Sequence, residues 1–229
     1  MRFLLLLFSL ATFSCSREPL PAPIAIAAAS NYLALGDSYT IGQGASEAER
    51  WPVQLAAQAR QRNVRLQEPT IVARTGWTTA ELASAISQAQ LATNYDIVTL
   101  QIGVNNQYQG QSLATYRSEF RQLLLIAVRL AGNRAGRVVV LSIPDWGQTP
   151  FASGQNRARI GAEIDQFNDA ARQECRTLAV AYVDITPATR AAAGDPTQFA
   201  RDGLHYSGAH MQLWVQQALP VVEAASRTP

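Results

Sequence analysis

The sequence predicts a three-layer α/β sandwich: a parallel sheet of five strands with helices on both faces. Two observations predict it. Short apolar runs alternate with longer segments of helical spacing, and that alternation favours a parallel sheet covered on both sides. The unusual polar and glycine-rich clusters fall directly after the apolar runs, at the carboxyl ends of strands, where open α/β sheets bind ligands.

The elements follow in order. Tyr32 to Leu35 is the first strand, bounded by Gly36, and Trp51 to Arg62 is helical in composition and spacing. Thr70 to Ala73 is a second strand and Thr79 to Gln90 a helix; Ile97 to Ile102 is the third strand. Leu113 to Leu130 is a long amphipathic helix stopped by Gly132, and Val138 to Ile143 is a fourth strand closed by Pro144. Ile160 to Leu178 is helical, Ala179 to Ile185 is the fifth strand, and Ser207 to Ala225 is the last helix, with Ser207 as its N-cap.

The 229 residues suit one domain, since about 100–200 residues make one. Apolar residues are 48% of the chain and charged residues 16%, enough to bury a sizeable core. The net charge of +2 comes from scattered residues with no basic run, which excludes a nucleic-acid footprint. Residues 1–15 read as an export signal: Arg2 precedes an apolar stretch from Phe3 to Leu10 that is too short to span a bilayer. Cleavage near Ala25 to Ala29 would make it an ordinary signal. In the alternative reading Cys15 becomes a lipidated N-terminus that anchors the chain to a bacterial envelope membrane, although Thr12 stands where such signals usually carry Leu. Residues 16–30, with Pro19, Pro21 and Pro23, read as a tether, and residues 31–229 as the folded domain. The expected location is therefore the periplasm or cell envelope, or outside the cell. Cys175, in a helical pattern, reads as a small buried hydrophobe.

The polar clusters carry the chemistry. Ser38 follows the first strand, and a serine hydroxyl needs a base to become a nucleophile. There are two histidines, His205 and His210. His205 lies three residues after Asp202, so a tight turn can bring carboxylate and imidazole together, as a serine–histidine–aspartate site requires. His210 has no such carboxylate and reads as a residue of the last helix. An oxyanion formed on the substrate needs donors. The Ser38 N–H, the Gly76 N–H and the Asn105 side-chain amide, each after a different strand, are the candidates. Asp37 reads as a brace of its loop rather than as a second acid.

Leu35-Gly36-Asp37-Ser38-Tyr39-Thr40, Gly76 in Arg74-Thr75-Gly76-Trp77-Thr78, Gly103-Val104-Asn105-Asn106 and Asp202-Gly203-Leu204-His205 resemble, in order, the four signature blocks of the SGNH (GDSL-type) hydrolases. The resemblance spans Tyr32 to Trp214. It implies a flavodoxin-like α/β/α sandwich and ester hydrolysis without a metal or other cofactor. It also implies Ser38 as nucleophile, His205 as base, Asp202 as its partner, and Ser38, Gly76 and Asn105 as oxyanion donors. Asn106 stands where the family usually has Asp, at a position of structural support.

Trp77, Tyr108, Trp146 and Tyr206 lie beside the clusters and are candidate substrate-binding aromatics, with ordinary packing as the other reading of each. Arg74 reads as a solvated or salt-bridged loop residue, with binding of an anionic substrate group as the other reading. Two histidines and two cysteines leave a zinc site short of ligands, and no Walker-type phosphate loop is present. The expected substrate is a small ester or an acylated glycan. The contrasting class is a catalytically silent carbohydrate- or lipid-binding module on the same fold. No heptad pattern argues for a partner chain, and a monomer is expected.

Overall fold

The computed structural model describes residues 29–227. The proposed export signal, Cys15 and nearly all of the tether lie outside the described residues.

Five parallel strands form one sheet in the order β2-β1-β3-β4-β5: β1 Tyr32–Gly36, β2 Thr70–Ala73, β3 Ile97–Gln101, β4 Val138–Leu141 and β5 Ala181–Val183. The three central strands are buried at every position, while edge strands β2 and β5 are partly open. That is why Val138 to Val140 read as an unbroken apolar run instead of alternating.

Among the described residues eight helices accompany the sheet: α1 Ser38–Ile41, α2 Trp51–Gln61, α3 Thr79–Gln88, α4 Val104–Tyr108, α5 Leu113–Leu130, α6 Arg157–Thr177, α7 Thr186–Ala191 and α8 Gly208–Ser226. Short 3-10 turns fill several loops. From β1 the chain steps outward to β2, then back past β1 to β3 and onward. Because crossovers between parallel strands are right-handed, the reversal sends α2 to one face and α3, α5 and α6 to the other. Consistent with this, α2 packs on α8, which also covers β4 and β5, while α3 and α6 pack on α5.

Side chains fix the helix starts. Thr78 and Glu81 form a capping box on α3, Ser112 caps α5, Asn156 caps α6, and Ser207 caps α8 as expected. Residues 157–159 extend α6 beyond its expected start at Ile160. The strands are shorter than expected at β4 and β5, where the chain leaves the sheet before Pro144 and Ile185. Cys175 is buried, and burial pushes its thiol up to about 12. Among the described residues no helix is long and apolar enough to cross a membrane.

Candidate active site

The reversal in strand order places the carboxyl ends of β1 and β3 side by side, and a crevice opens there. Ser38 is the first residue of α1, directly after β1. Gly36 lets α1 fold back so tightly, because a Cβ there would sit 2.1 Å from Thr40 Oγ1 and 2.5 Å from the Gln101 carbonyl oxygen. Asp37 is the N-cap: its Oδ1 accepts from the Tyr39 N–H at 3.0 Å. Its Oδ2 is buried without a hydrogen-bond partner, and burial pushes this carboxyl up to about 7. The brace read from the sequence is therefore present, with one oxygen unsatisfied.

Asp202 and His205 form a closed turn. Asp202 Oδ1 accepts from the N–H groups of Leu204 at 2.9 Å and His205 at 3.0 Å, and its Oδ2 meets His205 Nδ1 at 2.6 Å. Burial raises the Asp202 pKa, but the three hydrogen bonds more than offset it and hold the carboxyl below its ordinary range. A carboxylate on Nδ1 makes that nitrogen the donor and leaves Nε2 as the proton acceptor. An antiparallel bridge between Phe199 and Tyr206 and the bond from the Ala200 N–H to the His205 carbonyl hold the turn. The Tyr39 ring lies 5.3 Å from the imidazole.

His210 sits elsewhere. Its Nδ1 lies 2.9 Å from Gln198 Oε1, its ring stacks on Tyr206 at 4.5 Å, and burial pushes its pKa down to about 4. Nε2 has no partner. It is a neutral core residue and lies outside the cleft.

Ser38, His205, Gly76 and Asn105 line one cleft of about 170 Å³. Gly76 has φ +85°, a conformation that favours glycine, and no atom lies within 4 Å of where its Cβ would be. Its N–H makes no hydrogen bond among the described residues. Asn105 lies on α4 and spends one side-chain N–H on the Trp77 carbonyl at 2.9 Å, which leaves the other N–H free. Asn106 points inward and clamps α4 to the start of α3. Its Oδ1 accepts from the Thr79 N–H at 3.1 Å and its Nδ2 donates to Thr79 Oγ1 at 2.6 Å. A second Nδ2 bond goes to Gln111 Oε1 at 2.5 Å. A carboxylate at this position could not donate those two bonds, so the loop here is built around the amide.

Tyr108 and Trp146 also line the cleft, their rings edge-on at 5.3 Å. Trp146 is held by a bond from its Nε1 to Gln107 Oε1 at 2.7 Å. The next residue back, Asp145, is buried and ion-paired with Arg190 at 2.8 Å. The other two candidate aromatics are not in the cleft wall. Tyr206 is fully buried, its hydroxyl donating to the Asp145 carbonyl at 3.4 Å, because it follows His205 into the core. Trp77 is half-buried against the core and contributes only its carbonyl, to Asn105. Arg74 is exposed. Sequence reasoning missed Tyr39, Val104, Phe151 and Leu204, which make the cleft apolar. Tyr39, Val104 and Leu204 lay inside the quoted motifs; Phe151 carried no signal, since a loop aromatic has no periodicity to place it. Among the described residues no group of His, Cys, Asp or Glu is placed to hold a metal ion.

The profile of the GDSL-like lipase/acylhydrolase family matches residues 34–213. The chain belongs to that family. Solved structures share its fold at low identity. LAE5, an alpha/beta hydrolase enzyme from the metagenome of Lake Arreo, Spain, is 20% identical with a TM-score of 0.63, over 86% of this chain and 96% of that one. A lipase/acylhydrolase from Enterococcus faecalis gives the same identity, TM-score and coverage. Axe2, an acetylxylan esterase from Geobacillus stearothermophilus, is 16% identical with a TM-score of 0.62, over 84% of this chain and 94% of that one. No curated protein matches the sequence. The family and the fold of these neighbours support a hydrolase of the esterase and acylhydrolase type.

Proposed function

We propose that the protein hydrolyses a carboxylic ester through an acyl intermediate on Ser38. The observation that carries this reading is the Asp202–His205 pair, fixed at 2.6 Å on Nδ1, opening into the same cleft as Ser38. Ser38 Oγ attacks the ester carbonyl carbon while its proton passes to His205 Nε2. The oxyanion takes hydrogen bonds from the Ser38 N–H, the Gly76 N–H and the free N–H of Asn105. One such donor is worth about 3 kcal/mol in enzymes where it has been removed. The intermediate collapses, the alcohol leaves with the proton from His205, and water then releases the acid by the same path in reverse, returning the proton to Ser38. Asp202 holds the tautomer and stabilises the imidazolium. The apolar wall of Tyr39, Val104, Phe151 and Leu204 receives the acyl group.

Hydrolysis of p-nitrophenyl acetate by wild type and Ser38→Ala tests the reaction. The variant is expected to keep the fold, seen by circular dichroism, and to lose turnover. A folded variant with undiminished turnover would sink the proposal.

Export belongs to the same reading and rests on the sequence of residues 1–15, with Cys15 as a lipid-attachment site that tethers a monomeric enzyme to the envelope. Mass analysis of the mature N-terminus is expected to show diacylglycerol on Cys15. A chain beginning beyond that residue would remove the anchor from the account.

A further inference from the structure

Glu119 lies outside the cleft, on α5, yet two chains of hydrogen bonds end on it. Asn106 Oδ1 accepts from the Thr79 N–H, an obligate donor, at 3.1 Å. That bond fixes which way the amide faces. Its Nδ2 must then donate, to Thr79 Oγ1 at 2.6 Å and to Gln111 Oε1 at 2.5 Å. The Thr79 oxygen is taken by the amide, so its hydroxyl donates onward to Glu119 Oε2. The Gln111 Oε1 is taken as well, so its Nε2 turns to both Glu119 oxygens at 3.2 Å. These side chains close a ring in which every bond points from Asn106 towards Glu119. An ionised carboxylate only accepts, so Glu119 is the member that sets this direction. Among the described residues its carboxylate has no other hydrogen-bond or ion-pair partner.

The ring ties together the segments that carry the oxyanion donors. Gly76 lies in the loop leading into α3, whose first residue is Thr79. Asn105 is on α4, beside Asn106. With five residues and no side-chain cap, α4 gains little stability of its own. Its bonds to the Gly76 segment are those from Asn105 to the Trp77 carbonyl, at 2.9 Å, and from Asn106 to Thr79. These bonds set the distance between the Gly76 N–H and the free N–H of Asn105. Thr79 and Asn106 are fully buried, so neither can exchange a lost partner for bulk water.

We propose that Glu119 is a positioning residue of the oxyanion site: through Thr79 and Gln111 it orders the Asn106 amide, and with it the spacing of the Gly76 and Asn105 donors. The proposal rests on the esterase reading above and adds to it a residue that never meets the substrate. Its effect falls on the transition state, because the oxyanion forms only there.

The direction of the bonds supplies the test. Asn106→Asp places a second carboxylate in the ring. Thr79 has one hydroxyl proton for the two acids, and Gln111 can turn its amide nitrogen to only one of them. Adding Glu119→Gln reverses the whole ring. The new amide on α5 donates to Thr79 Oγ1 and Gln111 Oε1, and the new carboxylate on α4 accepts from the Thr79 hydroxyl and the Gln111 amide.

Hydrolysis of p-nitrophenyl acetate is measured for wild type, Glu119→Ala, Asn106→Asp and the double variant Asn106→Asp/Glu119→Gln. Glu119→Ala is expected to lower kcat by on the order of tenfold, since a displaced donor costs less than the roughly 10²–10³-fold of a removed one. KM is expected to change by less than about twofold. Asn106→Asp is expected to lower kcat at least as far, and the double variant to return to within about threefold of wild type. Inhibition by trifluoroacetone, whose adduct with Ser38 carries the oxyanion, is expected to weaken in step with kcat. Unchanged kcat in Glu119→Ala, a loss that falls on KM instead, unchanged trifluoroacetone inhibition, or a double variant no faster than Asn106→Asp would each overturn the proposal. If Glu119→Ala does not fold, Glu119→Gln replaces it; that variant keeps the bond from Thr79, and a smaller loss of kcat is expected, with no loss counting against the proposal. Failure of the esterase reading looks different: Ser38→Ala would turn over as fast as wild type, whatever Glu119 does, and this proposal would fall with it.

Discussion

At the residue scale, the most unusual group is Asp37. It is buried beside the nucleophile with one oxygen unpartnered, and its carboxyl is pushed up to about 7. The folded protein therefore keeps a proton that the unfolded chain releases above the ordinary value of 3.8. The stability this group contributes is full below about 3.8 and is lost as pH rises to about 7. His210 acts in the opposite sense. Burial holds its pKa near 4 instead of 6.5, so its contribution is present at neutral pH and is lost as pH falls through that interval. The two oppose each other across one window. The lowered pKa of Asp202 acts only below its ordinary 3.8. Asp37→Asn keeps an oxygen to accept the Tyr39 N–H and removes the titration, leaving His210 unopposed. Urea midpoints measured between pH 4 and pH 7 are expected to rise with pH more steeply in this variant than in wild type. Identical slopes for the two proteins would show that Asp37 titrates normally.

At the scale of elements, regular packing and local chemistry were unequally legible. The strands and long helices were plain because each buries a continuous run or a stripe: α5 was expected over Leu113 to Leu130 and lies there. The start of α6 was missed because Arg157, Ala158 and Arg159 face solvent and show no apolar period; the Asn156 cap marks it instead. The two shortest helices near the site left no periodic signal at all. Yet α4 sets the geometry, since Asn105 and Tyr108, three apart, share the face toward the cleft. Asn106 and Gln107 are buried and tie the helix to Thr79 and Trp146. The Asp202-to-His205 turn was legible from spacing alone, because three residues close one hydrogen-bonded turn. Tyr206 misled as a candidate aromatic: one residue past His205, its side chain points the other way, into the core.

At the scale of the whole molecule, the strand order does what no single motif can. Residues far apart in sequence meet because β1 and β3 are neighbours, their following loops diverge, and the loop before α8 closes over the same rim. The alternation of runs implied the parallel sheet and the rim on which the site lies, while the strand order itself is read from the structure. The ring that ends on Glu119 was not implied, since bonds between helices depend on side-chain packing that periodicity leaves open. The central claim is that this arrangement activates one serine. A serine-directed fluorophosphonate, followed by peptide mass mapping, tests it most directly. The account predicts a single adduct on Ser38 that disappears when His205 is replaced by Ala. A folded protein that takes no label, or labelling at Ser38 that persists unchanged without His205, would contradict it.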